Sequence, residues 1–273
     1  IKNKIFFGCL FKRLIVCICS FEIMKNIKFV IIYNQCLRSK LIYYSFIKKN
    51  KNNIHSVIKI PIIKNKSLFS EMILFLKLYK KYSKIYLFYT IFQTIVFNFI
   101  SKIFKSDIEH LCKNNKVNYF KLKEYPDNKF WKKINLKKNY IIFSSTTHIL
   151  KKKELNINNL ILNFHEADPR ILRGSALYFQ LMVQNYNFFR TCILEPNLNI
   201  DEGRIVKLSK KINIKYKSLF SIILKGYLSQ TKIINSTNYE RLKKKFPKKN
   251  SSNKVKTYTF PAKTYDNLLK NKK

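Results

Sequence analysis

"NLILNFHEADPRILRG", residues 159–174, joins a short apolar run to an unusual group of polar and turn-forming residues. The apolar run at 160–162 predicts the end of a buried strand. Asn163 and His165 lie two positions apart on that strand end, so their side chains are expected to point to the same side. The chain has only four histidines and four glycines, and this stretch holds one of each. The concentration of rare residues indicates half of an active site.

Apolar runs that end in polar residues recur along the chain and alternate with helical patterns. Alternation of strands with helices is typical of an α/β fold with a mostly parallel, Rossmann-like sheet and flanking helices. The fold is expected to end in a helical C-terminal tail. Ligands of such sheets bind beyond the carboxyl ends of the strands. The predicted strands lie at 27–33, 55–62, 139–150, 159–168 and 189–196, and the predicted helices at 37–48, 175–186, 216–228 and 236–245.

The composition predicts a globular protein with a strongly basic surface. Of 273 residues, 47% are hydrophobic, which is enough to bury a sizeable core. The formal net charge is +41, and the excess is nearly all Lys, accompanied by abundant Asn and Ile. This bias is typical of AT-rich coding pressure on solvent-facing positions. A solvated basic surface and a face that binds polyanions both remain open.

The six cysteines give no zinc-binding pattern. None forms a CxxC pair, and no group of histidines accompanies them. We interpret all six as reduced, mostly buried thiols, which fits a cytoplasmic protein without a metal. They are Cys9, Cys17, Cys19, Cys36, Cys112 and Cys192.

Two segments allow more than one interpretation. Residues 1–23 precede Met24 and are interpreted as upstream reading frame or a leader, since they lack a clear signal-peptide cleavage site. Residues 85–101 carry no charged side chain. This segment could be a core helix, a membrane-surface helix, a subunit contact in a homodimer, or a membrane span at the lower length limit.

Asn163, His165 and Asp201 are the candidate catalytic residues. Asp201 lies in the predicted loop "NIDEG", which a parallel sheet could bring to the same edge as the other two. An amide, an imidazole and a carboxylate suit acyl transfer without a covalent enzyme intermediate. The amide donates to a developing oxyanion, and the imidazole donates or relays a proton. Each residue alone could equally be a structural histidine or a turn residue.

The segment resembles the catalytic core of the folate-dependent formyltransferases. That family carries Asn-x-His, a proline-containing loop that ends in Arg-Gly, a helix, a strand and an Asp-x-Gly loop. Here these are Asn163-Phe164-His165, Pro169, Arg173-Gly174 and Asp201-Glu202-Gly203, and the interval from His165 to Asp201 matches the family's pattern.

The resemblance is firm over residues 139–206 and loose over 24–138. Pro169 comes one position early, and Arg190 and Cys192 replace a more usual Gly and Thr. The expected division is a leader at 1–23, a catalytic domain at 24–206 and a helical or flexible C-terminal extension at 207–273. The closing "KTYTFPAK" (256–263) weakly resembles the tail of small formyltransferases that act on sugars.

The resemblance implies a 10-formyltetrahydrofolate donor, a primary amine acceptor and no metal. Asn163 and His165 would hold the oxyanion, and Asp201 would keep His165 protonated and assist removal of a proton from the amine. For His148 a contact with folate is one interpretation, and a surface or capping role is the stronger one. The expected donor-binding residues are Ser144, Ser145, Thr146, Thr147 and Gly203. The expected substrate-loop residues are Glu166, Pro169, Arg173 and Gly174.

Three acceptors are typical of the family: glycinamide ribonucleotide, methionyl-tRNA and nucleotide-linked amino sugars. Residues 33–40 contain no glycine, unlike the phosphate loop of the purine enzymes. The residues after Val206 have helical patterns rather than those of the β-barrel of the tRNA enzymes. We therefore favour an amino-sugar N-formyltransferase of surface-polysaccharide biosynthesis. A methionyl-tRNA formyltransferase-like protein, a basic RNA-binding protein and a non-catalytic binding module on the same fold remain alternatives.

Overall fold

A mostly parallel sheet organises the fold in a computed structural model of the chain. The structure describes residues 27–61, 84, 88, 91, 107–146, 148–155, 157, 159–174, 177–184, 186–199, 201–215, 217–244 and 257–258. The strands are β1 (Phe29–Asn34), β2 (Ile54–Ile60), β3 (Asn118–Lys121), β4 (Ile141–Ser145), β5 (Leu160–His165), β6 (Arg173–Gly174), β7 (Phe188–Phe189), β8 (Cys192–Pro196), β9 (Gly203–Leu208), β10 (Ile212–Asn213) and β11 (Thr257–Tyr258).

Within these residues the central sheet has seven strands in the order β3-β2-β1-β4-β5-β8-β9. The first five are parallel, whereas β8 runs antiparallel to both β5 and β9. The carboxyl ends of β1, β4 and β5 therefore lie at one edge, as the sequence predicts. The expected Rossmann-like architecture is confirmed, with an antiparallel pair at one side.

Helices connect the strands and cover the sheet. They are α1 (Leu37–Lys49), α2 (Ile108–Asn114), α3 (Asn128–Lys133), α4 (Lys152–Leu155), α5 (Leu177–Val183), α6 (Leu219–Asn235) and α7 (Tyr239–Lys244). Side-chain caps fix where several of them begin. Asp107 and Asp127 accept the backbone N–H groups of His110 and Phe130, which satisfies a free donor at the start of α2 and of α3.

Alternating side chains of β5 enter two different cores. Leu162 and Phe164 pack with α1, α2 and the end of α6 on one face of the sheet. Phe164 stacks on Phe143 with ring centroids 5.8 Å apart. Ile161 points to the opposite face, where it packs with α3. By the same period of two, Asn163 and His165 continue the face of Ile161.

The C-terminal helices pack into the same core as the sheet. Thr231 of α6 donates its hydroxyl to the carbonyl of Leu41 on α1 at 2.7 Å. The buried ring of Tyr239, at the start of α7, lies edge-on to Phe29 with centroids 5.2 Å apart. The expected domain boundary after Val206 falls inside β9, and the domain division itself stays a prediction.

Some expectations fall outside the described residues. They concern residues 1–23 and nearly all of the segment 85–101. Within that segment Phe88 and Ile91 are helical, and the Phe88 side chain is exposed. Across the part of the chain that the structure describes, no helix is long and apolar enough to cross a membrane.

Candidate active site

His165 lies at the carboxyl end of β5 with both ring nitrogens beside oxygen atoms. Nε2 is 3.1 Å from the carbonyl oxygen of Leu172, and Nδ1 is 3.5 Å from Oδ1 of Asp201. The imidazole is almost fully buried, while the Asp201 side chain keeps 17% of its surface exposed. A carbonyl and a carboxylate are both acceptors, so only the doubly protonated ring can donate to both.

Asp201 reaches His165 by a different route from the one expected. Its loop joins two antiparallel strands, and the β8 residue opposite His165 is Cys192, at the start of that strand. Asp201 follows the other end of β8, and that end lies about 13 Å of extended strand away from Cys192. The loop therefore folds back to bring the carboxylate to the imidazole, so the expected meeting of parallel strand ends is corrected.

The backbone around Asp201 is held in an uncommon conformation. Asp201 has φ of 52°, in the left-handed region that non-glycine residues rarely adopt. Its Oδ2 accepts the backbone N–H of Gly174 at 2.8 Å, while Oδ1 faces His165. One carboxylate thus joins the loop that ends in Arg173-Gly174 to the end of β5. Backbone strain of this kind is concentrated at functional sites.

Gly203 has a structural reason to be glycine. Its φ is +139°, and an added Cβ would lie 2.0 Å from the carbonyl oxygen of Glu195. Only a residue without a side chain can start β9 at this point. The glycine of the Asp-x-Gly pattern therefore fixes the loop that carries Asp201. Its expected contact with a donor stays a prediction.

The expected substrate loop is anchored internally. Arg173 is buried, donates from Nε to the carbonyl of Pro169 at 2.8 Å and pairs with Glu202 at 2.6 Å. Glu166 lies 3.4 Å from Arg38 of α1. The structure thus shows scaffolding contacts for Arg173, Glu166 and the Pro169 carbonyl, and their contact with a substrate stays a prediction.

The expected donor-binding residues divide into strand and loop. Ser144 and Ser145 are buried and belong to β4 rather than to the loop. Ser144 Oγ accepts the hydroxyl of Tyr125 at 3.4 Å. Thr146 follows the strand, and its buried Oγ1 has no hydrogen-bond partner among the described residues. Thr147 lies outside the described residues.

His148 is engaged beside this loop. Its Nε2 is 2.9 Å from Oε2 of Glu154, and its ring stacks on Tyr125. The same carboxylate oxygen accepts the backbone N–H of Lys151 at 2.7 Å. These contacts give His148 the structural role that the sequence analysis favoured over binding of folate.

Two residues behind the site were missed by the sequence analysis. Arg38 of α1 donates to the carbonyl oxygen of Phe164 at 2.6 Å. Gln230 of α6 donates to the carbonyl oxygen of His165 at 3.1 Å and accepts from Arg38 Nε at 3.2 Å. Only one signal was present: an arginine in the first turn of a helix, in a chain whose basic residues are nearly all lysine.

These groups can bind the carbonyl oxygen of an acyl group and polarise its C=O bond. Asn163 is half-buried on the same face of β5 as His165, and its side chain makes no hydrogen bond to the described residues. A free amide beside an imidazole can donate to a developing negative charge. Among the described residues, no group of three or more His, Cys, Asp or Glu side chains is placed to hold a metal ion.

Solved structures share this architecture. No protein-family model and no curated protein matches the sequence. An N-formyltransferase from Helicobacter canadensis, in complex with folinic acid and dTDP-3-aminofucose, is similar with a TM-score of 0.53 and 12% identity, over 84% of this chain and 70% of that one. A sugar N-formyltransferase from a Shewanella species gives 0.52 and 12%, over 85% and 76%.

A phosphoribosylglycinamide formyltransferase from Bacillus halodurans is similar to the same degree, with a TM-score of 0.52 and 12% identity, over 80% of this chain and 96% of that one. These proteins act on different acceptors by their names, and their sequences have diverged far from this one. The comparison confirms the formyltransferase fold that the Asn-x-His and Asp-x-Gly resemblance predicts.

Proposed function

We propose that this protein is a folate-dependent N-formyltransferase that moves a formyl group from 10-formyltetrahydrofolate to the primary amine of a nucleotide-linked amino sugar. The observation that carries the proposal is the assembly of Asn163, His165 and Asp201. Residues far apart in the chain meet, with Nδ1 of His165 3.5 Å from Asp201 and Asn163 on the same strand face. The shared fold supports this interpretation, since the resemblance assigns catalysis to these three positions.

The roles follow from the chemistry of each group. The amine would attack the formyl carbon of the donor. When the oxyanion collapses, the bond from that carbon to N10 of the folate breaks, and the proton lost by the amine passes to N10 of the departing tetrahydrofolate. The Asn163 amide donates to the developing oxyanion, which is worth about 10²–10³ in rate for one such donor. In the structure Nε2 of His165 lies beside the Leu172 carbonyl. During the reaction its N–H group donates a hydrogen bond to the oxyanion instead, because a charged acceptor binds more strongly than a neutral one.

Asp201 completes the set as the acceptor beside Nδ1 of the imidazole. Its carboxylate lies beside Nδ1 and retains solvent exposure, so it can also accept a proton from the attacking nitrogen. The donor would lie against the carboxyl end of β4. The buried Oγ1 of Thr146 lacks a partner within the part of the chain that the structure describes. This fits the placement, because a buried hydroxyl without a partner is costly and a ligand can satisfy it.

The acceptor is proposed from three features. The Helicobacter canadensis protein of the same fold is in complex with a nucleotide-linked amino sugar. The turn between β1 and α1 contains no glycine, which does not fit the glycine-rich phosphate loop expected of a glycinamide ribonucleotide enzyme. The net charge of +41 would attract an anionic nucleotide sugar.

The test uses purified protein with 10-formyltetrahydrofolate and three kinds of acceptor. These are dTDP-linked 3-amino and 4-amino sugars, glycinamide ribonucleotide and methionyl-tRNA. We expect tetrahydrofolate to form with an amino sugar, and the sugar to gain the mass of one formyl group. Transfer to another acceptor alone would refute the sugar assignment. Folate binding without transfer to any of them would favour a non-catalytic binding module.

A further inference from the structure

Two polar side chains, the buried Gln230 and the partly buried Arg38, hold the end of β5 from the side of α1 and α6. The β4 ladder pairs with β5 only as far as Leu162, so on that side the last residues of β5 have no strand partner among the described residues. Buried backbone carbonyls need donors. Arg38 supplies one to Phe164 at 2.6 Å, and Gln230 supplies one to His165 at 3.1 Å.

The two side chains also bind each other. Nε of Arg38 donates to Oε1 of Gln230 at 3.2 Å, and Glu166 lies 3.4 Å from the guanidinium. Gln230 therefore uses both ends of its amide, accepting from Arg38 and donating to His165. This arrangement links α1, α6 and the end of β5 through one chain of hydrogen bonds.

We propose that Arg38 and Gln230 are positioning residues that fix the imidazole of His165 by binding the carbonyl oxygens of Phe164 and His165. This inference rests on the proposed function and extends it to residues outside the Asn-x-His and Asp-x-Gly motifs. It also makes α6, in the segment after residue 206, a part of the active site's support. Neither side chain touches the reacting atoms.

The expected consequence is kinetic. His165 must keep Nδ1 beside Asp201 and Nε2 beside the site of the oxyanion. A misplacement of about 1 Å caused by a distant substitution can cost about 10²-fold in rate. Loss of either donor removes a side-chain hydrogen bond from the backbone at the end of β5, and that end can then shift.

The test compares two conservative variants with a matched control. Gln230→Glu keeps the size and the acceptor for Arg38 but has no N–H for the His165 carbonyl. Arg38→Lys keeps the charge but lacks the fork that reaches both Phe164 and Gln230. The control is Thr231→Val, which removes a partly buried hydrogen bond between α6 and α1 without touching β5.

We expect kcat to fall about 10–10²-fold in both variants, with KM for donor and acceptor nearly unchanged, and Thr231→Val to stay near wild type. Thermal unfolding compares the stability of all three. If the carboxylate of Gln230→Glu prevents folding, Gln230→Met takes its place. If the Arg38 and Gln230 variants have the same kcat as the Thr231→Val control, the inference is overturned.

A second readout does not depend on activity. The ring signals of His165 in NMR spectra, assigned from their loss in His165→Gln, should shift or broaden in the Arg38 and Gln230 variants but not in Thr231→Val. Unchanged His165 signals in folded variants would refute the positioning role. If the wild-type protein transfers no formyl group, the proposed function is refuted. The positioning role of Arg38 and Gln230 is then still tested by the NMR comparison of the variants.

Discussion

Nδ1 of His165 lies 3.5 Å from Oδ1 of Asp201, although the two residues belong to different strands and loops. The other oxygen of the same carboxylate accepts the N–H of Gly174 at 2.8 Å. Asp201 therefore has two functions that can be separated by substitution. It holds the Arg173-Gly174 loop through a hydrogen bond, and it holds the imidazole through its charge.

Asp201→Asn separates these functions. An asparagine tolerates the left-handed backbone at this position and can still accept the Gly174 N–H. It carries no charge, so in the proposed mechanism His165 loses its carboxylate partner and the amine loses a proton acceptor. We expect kcat to fall by about 10²-fold or more, with little change in melting temperature. A variant that loses stability in proportion to activity would show that the charge serves the fold instead.

Gly203→Ala should destabilise the fold. The new Cβ would lie 2.0 Å from a backbone carbonyl oxygen, at a φ that alanine adopts only under strain. Gly226→Ala is the comparison, because its Cβ would meet the tip of the Tyr178 side chain rather than backbone. We expect a loss of at least about 2 kcal/mol for Gly203→Ala and a smaller one for Gly226→Ala, measured by urea unfolding. Equal losses would contradict this account of Gly203.

Arg170 and Arg173, in the segment between β5 and α5, should differ in their contribution to stability. Arg173 pairs with Glu202 and is 4% exposed, whereas Arg170 pairs with Asp168 and is 54% exposed. Arg173→Met removes both the ion pair and the buried hydrogen bond to the Pro169 carbonyl, whereas Arg170→Met leaves Asp168 the backbone N–H of residue 170 as a donor. Arg173→Met should therefore lower the unfolding free energy several times more than Arg170→Met. Similar values for the two would show that burial of the Arg173 pair is not what stabilises the loop.

Stability should fall at alkaline pH in part because of Cys112. Burial, with Asp107 and Glu109, raises the pKa of this thiol from 9.0 to about 12. Between these values the unfolded chain loses the proton while the folded protein keeps it, so stability decreases as pH rises. Cys112→Ala removes this contribution. The difference in unfolding free energy between wild type and variant should shrink from about pH 8 to about pH 11, and a constant difference would contradict the shift.

The sequence predicts the fold well because its signals are local. The buried strands around Val30, Ile142 and Ile161 lie in continuous apolar runs, and helix α1 begins and ends within a residue or two of its predicted bounds. The positions of Asn163 and His165 on one strand face follow from the period of two. These features depend only on neighbouring residues.

The supporting contacts could not be predicted because they join distant parts of the chain. Arg38 and Phe164 meet only after β1 and β5 take their places in the sheet, and Gln230 arrives from α6. The antiparallel course of β8, which sets the path of Asp201, also has no local signature. Glu166 had been assigned to the substrate loop, but its position beside Arg38 emerges only in three dimensions.

The most direct test of the central claim is the rate of tetrahydrofolate formation by His165→Ala, measured with 10-formyltetrahydrofolate and an amino sugar that the wild type formylates. A melting temperature close to that of the wild type would establish that the variant is folded. The proposed mechanism predicts a loss of about 10²-fold or more in kcat, because the imidazole supplies a donor to the oxyanion. A folded His165→Ala protein that turns over at nearly the wild-type rate would contradict the assignment of this site.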